Sequence, residues 1–245
     1  MADRAAPIDW DTVDLVVFDV DGTLYDQRRL RIAMLGTLAM AALRTGDART
    51  LRTIRAYRRV REELGSSSTG PFRDREYGLT AERAGVSPRF VMQVVDEWMH
   101  RRPLPLLAGA AVPGGAAVFA ALAARGTAIG ILSDYPAAAK LDAMGLHADH
   151  VVCATDPDID RLKPDPAGMG RLLDRAGISP RRAVMIGDRI DRDVEVARRS
   201  GMRALLRSRR PVKGLATFAT YADPLFAPLL AGPRQHRAVP VSATA

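Results

Sequence analysis

The chain is 245 residues long, enough for one domain with a large insertion or two modest ones, and its 47% apolar content can build a sizeable core. A single cysteine, Cys153, excludes intrachain disulfides and multi-cysteine zinc sites. The net charge of +8 sits in one place: residues 27–105 hold 16 arginines and no lysine against 8 acidic residues, and the rest of the chain is balanced.

The first residues, MADRAAPIDW, have no apolar leader core, and no apolar run approaches the ~18 residues of a membrane span, so a cytoplasmic location is expected. Residues 15–18, LVVF, then read as a buried strand. Asp19 and Asp21 follow at once, and Gly22 lets the backbone turn away. Two carboxylates at the end of a buried strand are costly unless a cation or a reaction needs them. The plainer alternative is an Asp-Gly hairpin turn.

Residues 32–43 form a nearly all-apolar helix flanked by arginines, too short to span a bilayer. A buried helix of a small bundle is the preferred reading, with a lipid-facing helix as the sharper alternative. Arg52, Arg55 and Arg59 recur at helical spacing and share a face, with Ile54 and Tyr57 turned elsewhere. Residues 65–71 read as a flexible break, and residues 76–84 as a further helix. Ser87 caps a helix that opens at Pro88 and runs to about His100, and the prolines at 103 and 105 end it. This arginine-rich segment attracts anions: a phosphorylated substrate, nucleic acid or an acidic membrane surface. Against that, arginine supplies 33 of all 36 basic residues, so solvated Arg-rich helix faces are an equal reading.

From Val112 the pattern alternates helix and strand, the rhythm of a parallel sheet. Helices are expected over residues 114–125, 137–144, 166–176 and 193–200, each stopped by a glycine. Strands are expected over 127–132, 150–153, 183–186 and 202–206. After Pro211 the signal fades, and residues 232–245 look like a disordered tail.

Four polar sites fall at strand ends or in the loops after them, the edge where open parallel sheets bind ligands. They are Asp19 with Asp21, Ser133, Lys163, and Asp188 with Asp193. Singly each has an ordinary explanation: Ser133 as a turn hydroxyl, Lys163 as a solvated lysine, Asp193 as a helix cap. Together they make a hard, oxygen-only cation site suited to magnesium, with a lysine and a serine to hold phosphoryl oxygens. An ionised carboxylate there can act as a nucleophile, and a second carboxyl can pass protons to the leaving oxygen and from water.

FDVDGTL, ILSDYP, LKPDP and MIGDRIDRDVEVARRSGM, in that order from Phe18 to Met202, resemble the four motifs of the haloacid dehalogenase superfamily. The resemblance extends to members of the phosphoglycolate-phosphatase type. It implies a Rossmann-like, doubly wound α/β parallel sheet with an inserted all-helical C1 cap. The core then comprises residues 8–26 and 106–231, and the cap residues 27–105. It implies Asp19 as nucleophile, Asp21 as acid/base, and Ser133 and Lys163 as phosphate holders. It implies magnesium bound by Asp19, the Asp21 backbone carbonyl, Asp188 and, directly or through water, Asp193. Asp191 is taken as a bystander able to share that last role.

Within the family, the presence of Asp21 disfavours carbon–halogen cleavage, and the cap's lack of lysine disfavours Schiff-base phosphonate chemistry and mutase activity. The expected activity is magnesium-dependent hydrolysis of a small phosphate monoester, polyanionic or lipid-linked, through an aspartyl-phosphate. The alternatives are a phosphosugar mutase or phosphotransferase of the same family, or a basic-cap binding module for anionic lipid or nucleic acid. Peripheral membrane contact stays open, and nucleic acid is disfavoured.

Overall fold

A computed structural model describes residues 8–45, 48–67 and 70–232, without the side chains of residues 41–45. The tail expected at 232–245 lies, from residue 233 on, outside the described residues. Six strands, β1 (Leu15–Phe18), β2 (Ala128–Ser133), β3 (His150–Cys153), β4 (Ala183–Gly187), β5 (Arg203–Arg207) and β6 (Ala216–Phe218), form one parallel sheet. Their order is β3-β2-β1-β4-β5-β6, so β1 is an interior strand, paired with β2 and β4. That pairing rules out the hairpin at Asp21-Gly22. Gly22 instead takes φ +103° and turns the chain out of the sheet edge.

Both faces of β1 are buried, as an all-parallel sheet requires. Val16 and Phe18 pack into one apolar core with Val118, Phe119, Leu122, Leu141 and Leu229, carried by helices α6 (Gly115–Ala124), α7 (Ala138–Met144) and α10 (Ala227–Leu230), which are numbered in chain order. Leu15 and Val17 face the other core with Met169, Leu172, Val196 and Ala197, from α8 (Ala167–Ala176) and α9 (Glu195–Arg199). Helices on both faces make the sheet doubly wound, as expected. Pro166 is the N-cap residue of α8, and the Asp165 carboxylate before it accepts from the Ala167 N–H at 2.9 Å.

Between β1 and β2 the chain is helical: α1 (Gln27–Thr45), α2 (Arg49–Ser67), α3 (Arg73–Ala84), α4 (Pro88–Val95), a π-turn over Asp96–Arg101, and α5 (Leu104–Ala110). Ser87 caps α4 as expected, its hydroxyl accepting from the Phe90 N–H at 3.2 Å.

One expectation needs correction and two need extension. The first is the buried apolar helix. In α1, Leu30 and Met34 are buried, but Ile32, Leu35 and Met40 are 60, 58 and 52% exposed. α1 packs on α5, whereas α2 packs on α3 and α4, and a cavity separates α1 from α2. Second, the helix that opens at Pro88 ends at Arg101, as expected, but a further helix follows at once: Pro103 is the N-cap of α5 and Pro105 lies in its first turn, where a missing N–H costs nothing. Third, the weak signal after Pro211 conceals regular structure within the described residues 212–232, which the expected core included to residue 231. This segment adds β6 and an aromatic cluster of Phe218, Tyr221 and Phe226 beside Phe18, with the Trp10 ring tilted against Phe226.

Candidate active site

Asp19 leaves β1 at the carboxyl edge of the sheet and is 5% exposed. Its Oδ2 accepts from the Thr23 hydroxyl at 2.9 Å, and its Oδ1 accepts from Lys163 Nζ at 2.6 Å. Lys163 is not a solvated lysine. It is 4% exposed, and the same ammonium donates to Asp193 Oδ1 at 2.6 Å and to the Leu132 carbonyl at 3.3 Å. Burial opposes the Lys163 charge, but Asp19 and Asp193 outweigh it and raise its pKa. Burial is also the largest influence on Asp19, pushing its pKa up against the pull of Lys163, with Asp193, Asp188 and Asp21 adding repulsion.

Asp193 does not act as a simple helix cap. It sits in a π-turn, Ile190–Val194, and its Oδ2 accepts from the Asp188 and Arg189 N–H groups at 3.0 Å each. The side chain thereby folds the loop after β4 back on itself. Asp188 lies over Gly22, where any Cβ would overlap its carboxylate. Burial, then Asp193, pushes the Asp188 carboxyl up to about 6.

Asp19, Asp188 and Asp193 each bring one oxygen within 4.8 Å of the others. Three converging carboxylates, two of them buried and only one lysine among them, are a donor set that fits a hard divalent cation. The Asp21 carbonyl, expected to be a further ligand, accepts from Gln27 Nε2 at 2.6 Å. Asp191 is solvated and paired with Arg189.

Asp21 points to a different partner. Its oxygens accept from Lys140 Nζ at 2.5 and 2.8 Å and from the Tyr25 hydroxyl. Burial opposes its charge, but Lys140 and then Tyr25 prevail and lower its pKa. Lys140 escaped the sequence reading because it stands inside an unremarkable helix, α7. Its only signal was scarcity, as one of three lysines in the chain. Ser133 is 1% exposed and its hydroxyl accepts from the Tyr135 N–H at 3.2 Å, closing the turn that follows β2.

The helical segment is tied directly to this edge. Glu62 of α2 receives Arg189 at 2.5 and 3.0 Å and Arg192 at 3.2 Å, and Arg192 also donates to the Lys163 carbonyl at 2.5 Å. Gly65 lets α2 approach that guanidinium, which a Cβ would overlap. Arg61, buried, pairs with Glu76 at 2.5 Å, lies 4.2 Å over the Tyr135 ring and donates to the Asp134 carbonyl. Between the helices and the sheet edge opens a cavity of about 890 Å³ whose floor includes Asp19, Asp21, Lys140, Lys163 and Asp188.

The chain is 32% identical over 217 residues to the phosphoglycolate phosphatase of Rhodospirillum rubrum, covering 85% of this chain and 86% of that one. It is 26% identical over 200 residues to a glyceraldehyde 3-phosphate phosphatase of Methanopyrus kandleri, covering 78% and 82% of the two chains. Its fold is similar to that of the magnesium-bound HAD-hydrolase YfnB of Bacillus subtilis, with a TM-score of 0.62 at 13% identity over 89% of this chain and 98% of that one. The sequence profile of haloacid dehalogenase-like hydrolases matches residues 13–201, and this chain belongs to that family of enzymes.

Proposed function

We propose that this enzyme is a magnesium-dependent phosphatase that hydrolyses a phosphate monoester by way of a phosphoryl group carried on Asp19. The observation that carries the reading is the convergence of Asp19, Lys163, Asp188 and Asp193 within hydrogen-bonding or ligand distance at the carboxyl edge of the sheet. Its relatives of similar length are phosphatases of small phosphorylated acids and aldehydes, which agrees with this reaction.

In the first half-reaction an Asp19 oxygen attacks phosphorus, the ester bond breaks, and the departing alkoxide takes a proton from Asp21. In the second, the Asp21 carboxylate takes a proton from water, the water oxygen attacks phosphorus, and Asp19 and inorganic phosphate separate. Lys163 holds the phosphoryl oxygens beside Asp19, with Ser133 at the adjacent strand end completing the cradle. A magnesium ion held by Asp19, Asp188, Asp193 and the Asp21 carbonyl would supply positive charge against both the buried carboxylates and the phosphoryl oxygens. The Lys140 and Tyr25 contacts favour ionised Asp21, suited to drawing a proton from water. An arriving dianionic phosphoryl group pushes Asp21 the other way, toward the acid form.

Residues 27–105 act as a cap over a core of residues 8–26 and 106–231. Magnesium-dependent release of phosphate from phosphoglycolate and from an aryl phosphate, abolished by chelation, is the expected result. Purified protein that releases no phosphate from any monoester at saturating magnesium contradicts the proposal.

A further inference from the structure

The cavity above Asp19 is far larger than a two- or three-carbon phosphate needs, and its walls are ordered. At about 890 Å³ it stands near the upper end of the range that encloses drug-sized ligands. α1 leaves the floor at Gln27, which bonds the Asp21 carbonyl, and α2 reaches the floor at Glu62, which bonds Arg189 and Arg192. Distance along each helix axis from that contact follows residue number, at about 1.5 Å per residue.

Both helices line the cavity with arginine nearer the floor and apolar side chains farther along, although Leu30 stands beside Arg31 on α1 and Arg59, paired with Glu63, beside Arg58 on α2. About one turn along stand Arg31 on α1 and Arg58 on α2, with Arg55 roughly a turn beyond. Farther along come Met34, Leu35 and Leu38 on α1, and Ile54 and Leu51 on α2, up to roughly 16 Å of helix axis from Gln27 and Glu62.

The arginine belt lacks its own counter-charge. Among the described residues Arg58 and Arg55 have no carboxylate partner, and Arg31 bonds only the amide of Gln27, at 2.6 Å. Surrounding protein, and then the nearby Arg31 charge, lower the Arg58 pKa, the signature of a cation set where its charge is poorly compensated. Leu35 stays 58% exposed although it faces this cavity. Exposed apolar side chains beyond unpaired guanidiniums, in the same cavity as the nucleophile, fit one kind of molecule.

Building on the phosphatase reading above, we infer that the substrate is a phosphate monoester with a second anionic group next to the ester and an extended apolar body beyond it. The phosphate meets Lys163 and Asp19, the second anion meets Arg58 and Arg31, and the apolar body lies between Met34, Leu38, Leu51 and Ile54.

A matched series tests this on the magnesium-loaded enzyme. Phosphoglycolate is compared with the phosphate esters of 2-hydroxyhexanoate and 2-hydroxyoctanoate, which keep the carboxylate and lengthen only the apolar part. 2-Octyl phosphate keeps the chain and drops the carboxylate. The inference expects kcat/KM to rise about two- to four-fold for each added carbon, mainly through KM. It expects the eight-carbon acid to exceed 2-octyl phosphate by about ten-fold or more. Leu38→Gln flattens the chain-length series, and Arg58→Gln erases the preference for the carboxylate.

Phosphoglycolate turned over as well as or better than the longer esters overturns the inference and leaves the phosphatase reading standing. Calorimetric binding of the corresponding non-hydrolysable phosphonates separates the opposite case. If no ester is cleaved yet affinity climbs with chain length, the phosphatase reading fails and the cavity assignment survives. Affinity flat with length overturns it whatever the turnover.

Discussion

At the scale of single residues, the site rests on two lysines that divide the carboxylates between them. Lys163 joins Asp19 to Asp193, and Lys140 holds Asp21. Each ion pair is nearly removed from water, so each charge depends on its partner more than a surface pair does. The Asp19 and Asp21 motif, Lys163 and the Asp188–Asp193 loop were legible because their residue types are costly in apolar surroundings and recur at strand ends. Lys140 was not legible, because a lysine within a helix carries no local mark of what its long side chain reaches.

Lys140 yields a prediction at this scale. It keeps Asp21 ionised, so its removal raises the Asp21 pKa and fewer enzyme molecules hold the base at a given pH. Lys140→Met is expected to lower kcat by about ten- to a hundred-fold with little change in KM. The acidic limb of its kcat profile moves to higher pH, and Lys140→Arg restores part of the rate. An unchanged profile in Lys140→Met contradicts the assignment.

At the scale of elements, glycine stops, the Ser87 cap and the alternation of helix and strand located nearly every core element, since these signals are local. What failed was non-local. The apolar stretch in α1 predicts burial only if another element arrives to cover it, and here α2 stands across a cavity instead. β6 is a three-residue edge strand with little periodicity to find. The aromatic cluster behind it is built from Phe218, Tyr221 and Phe226, which say little singly, and its contact with Phe18 and Trp10 from the start of the chain is invisible in sequence. Phe226 is fully buried there, away from the cavity. Phe226→Ala is expected to cost about 3–5 kcal/mol in denaturant unfolding while KM stays within roughly two-fold of the native enzyme. A loss under about 1 kcal/mol would show that this segment is not part of the core.

At the scale of the whole molecule, the helical segment and the sheet edge are fastened by Glu62 with Arg189 and Arg192, and by Arg61 on the Asp134 carbonyl. The carboxylate cluster beneath them is a liability without a cation. Asp188, pushed up to about 6 by burial and Asp193, is costly when ionised in the folded protein. The cost applies above that pH and eases as pH falls through it, opposite to a carboxylate whose pKa is lowered by a salt bridge. A cation competes with the proton for the same oxygens. Magnesium at a fixed millimolar concentration is therefore expected to raise Tm more at pH 7.5 than at pH 5.5. An increment that grows on acidification, or none at either pH, counts against a cation site at Asp19, Asp188 and Asp193. Among the described residues no helix is long and apolar enough to cross a membrane.

The account turns on Asp19 carrying the phosphoryl group, and trapping that group tests it most directly. Borohydride added during steady turnover of an aryl phosphate reduces an acyl phosphate to an alcohol, converting the aspartate that bears it to homoserine. Peptide mass spectrometry is expected to find homoserine at position 19 only when substrate and magnesium are present, and none in an Asp19→Asn variant that has lost turnover. Turnover in which residue 19 stays aspartate throughout, or an Asp19→Asn variant that hydrolyses the ester at the native rate, contradicts the account.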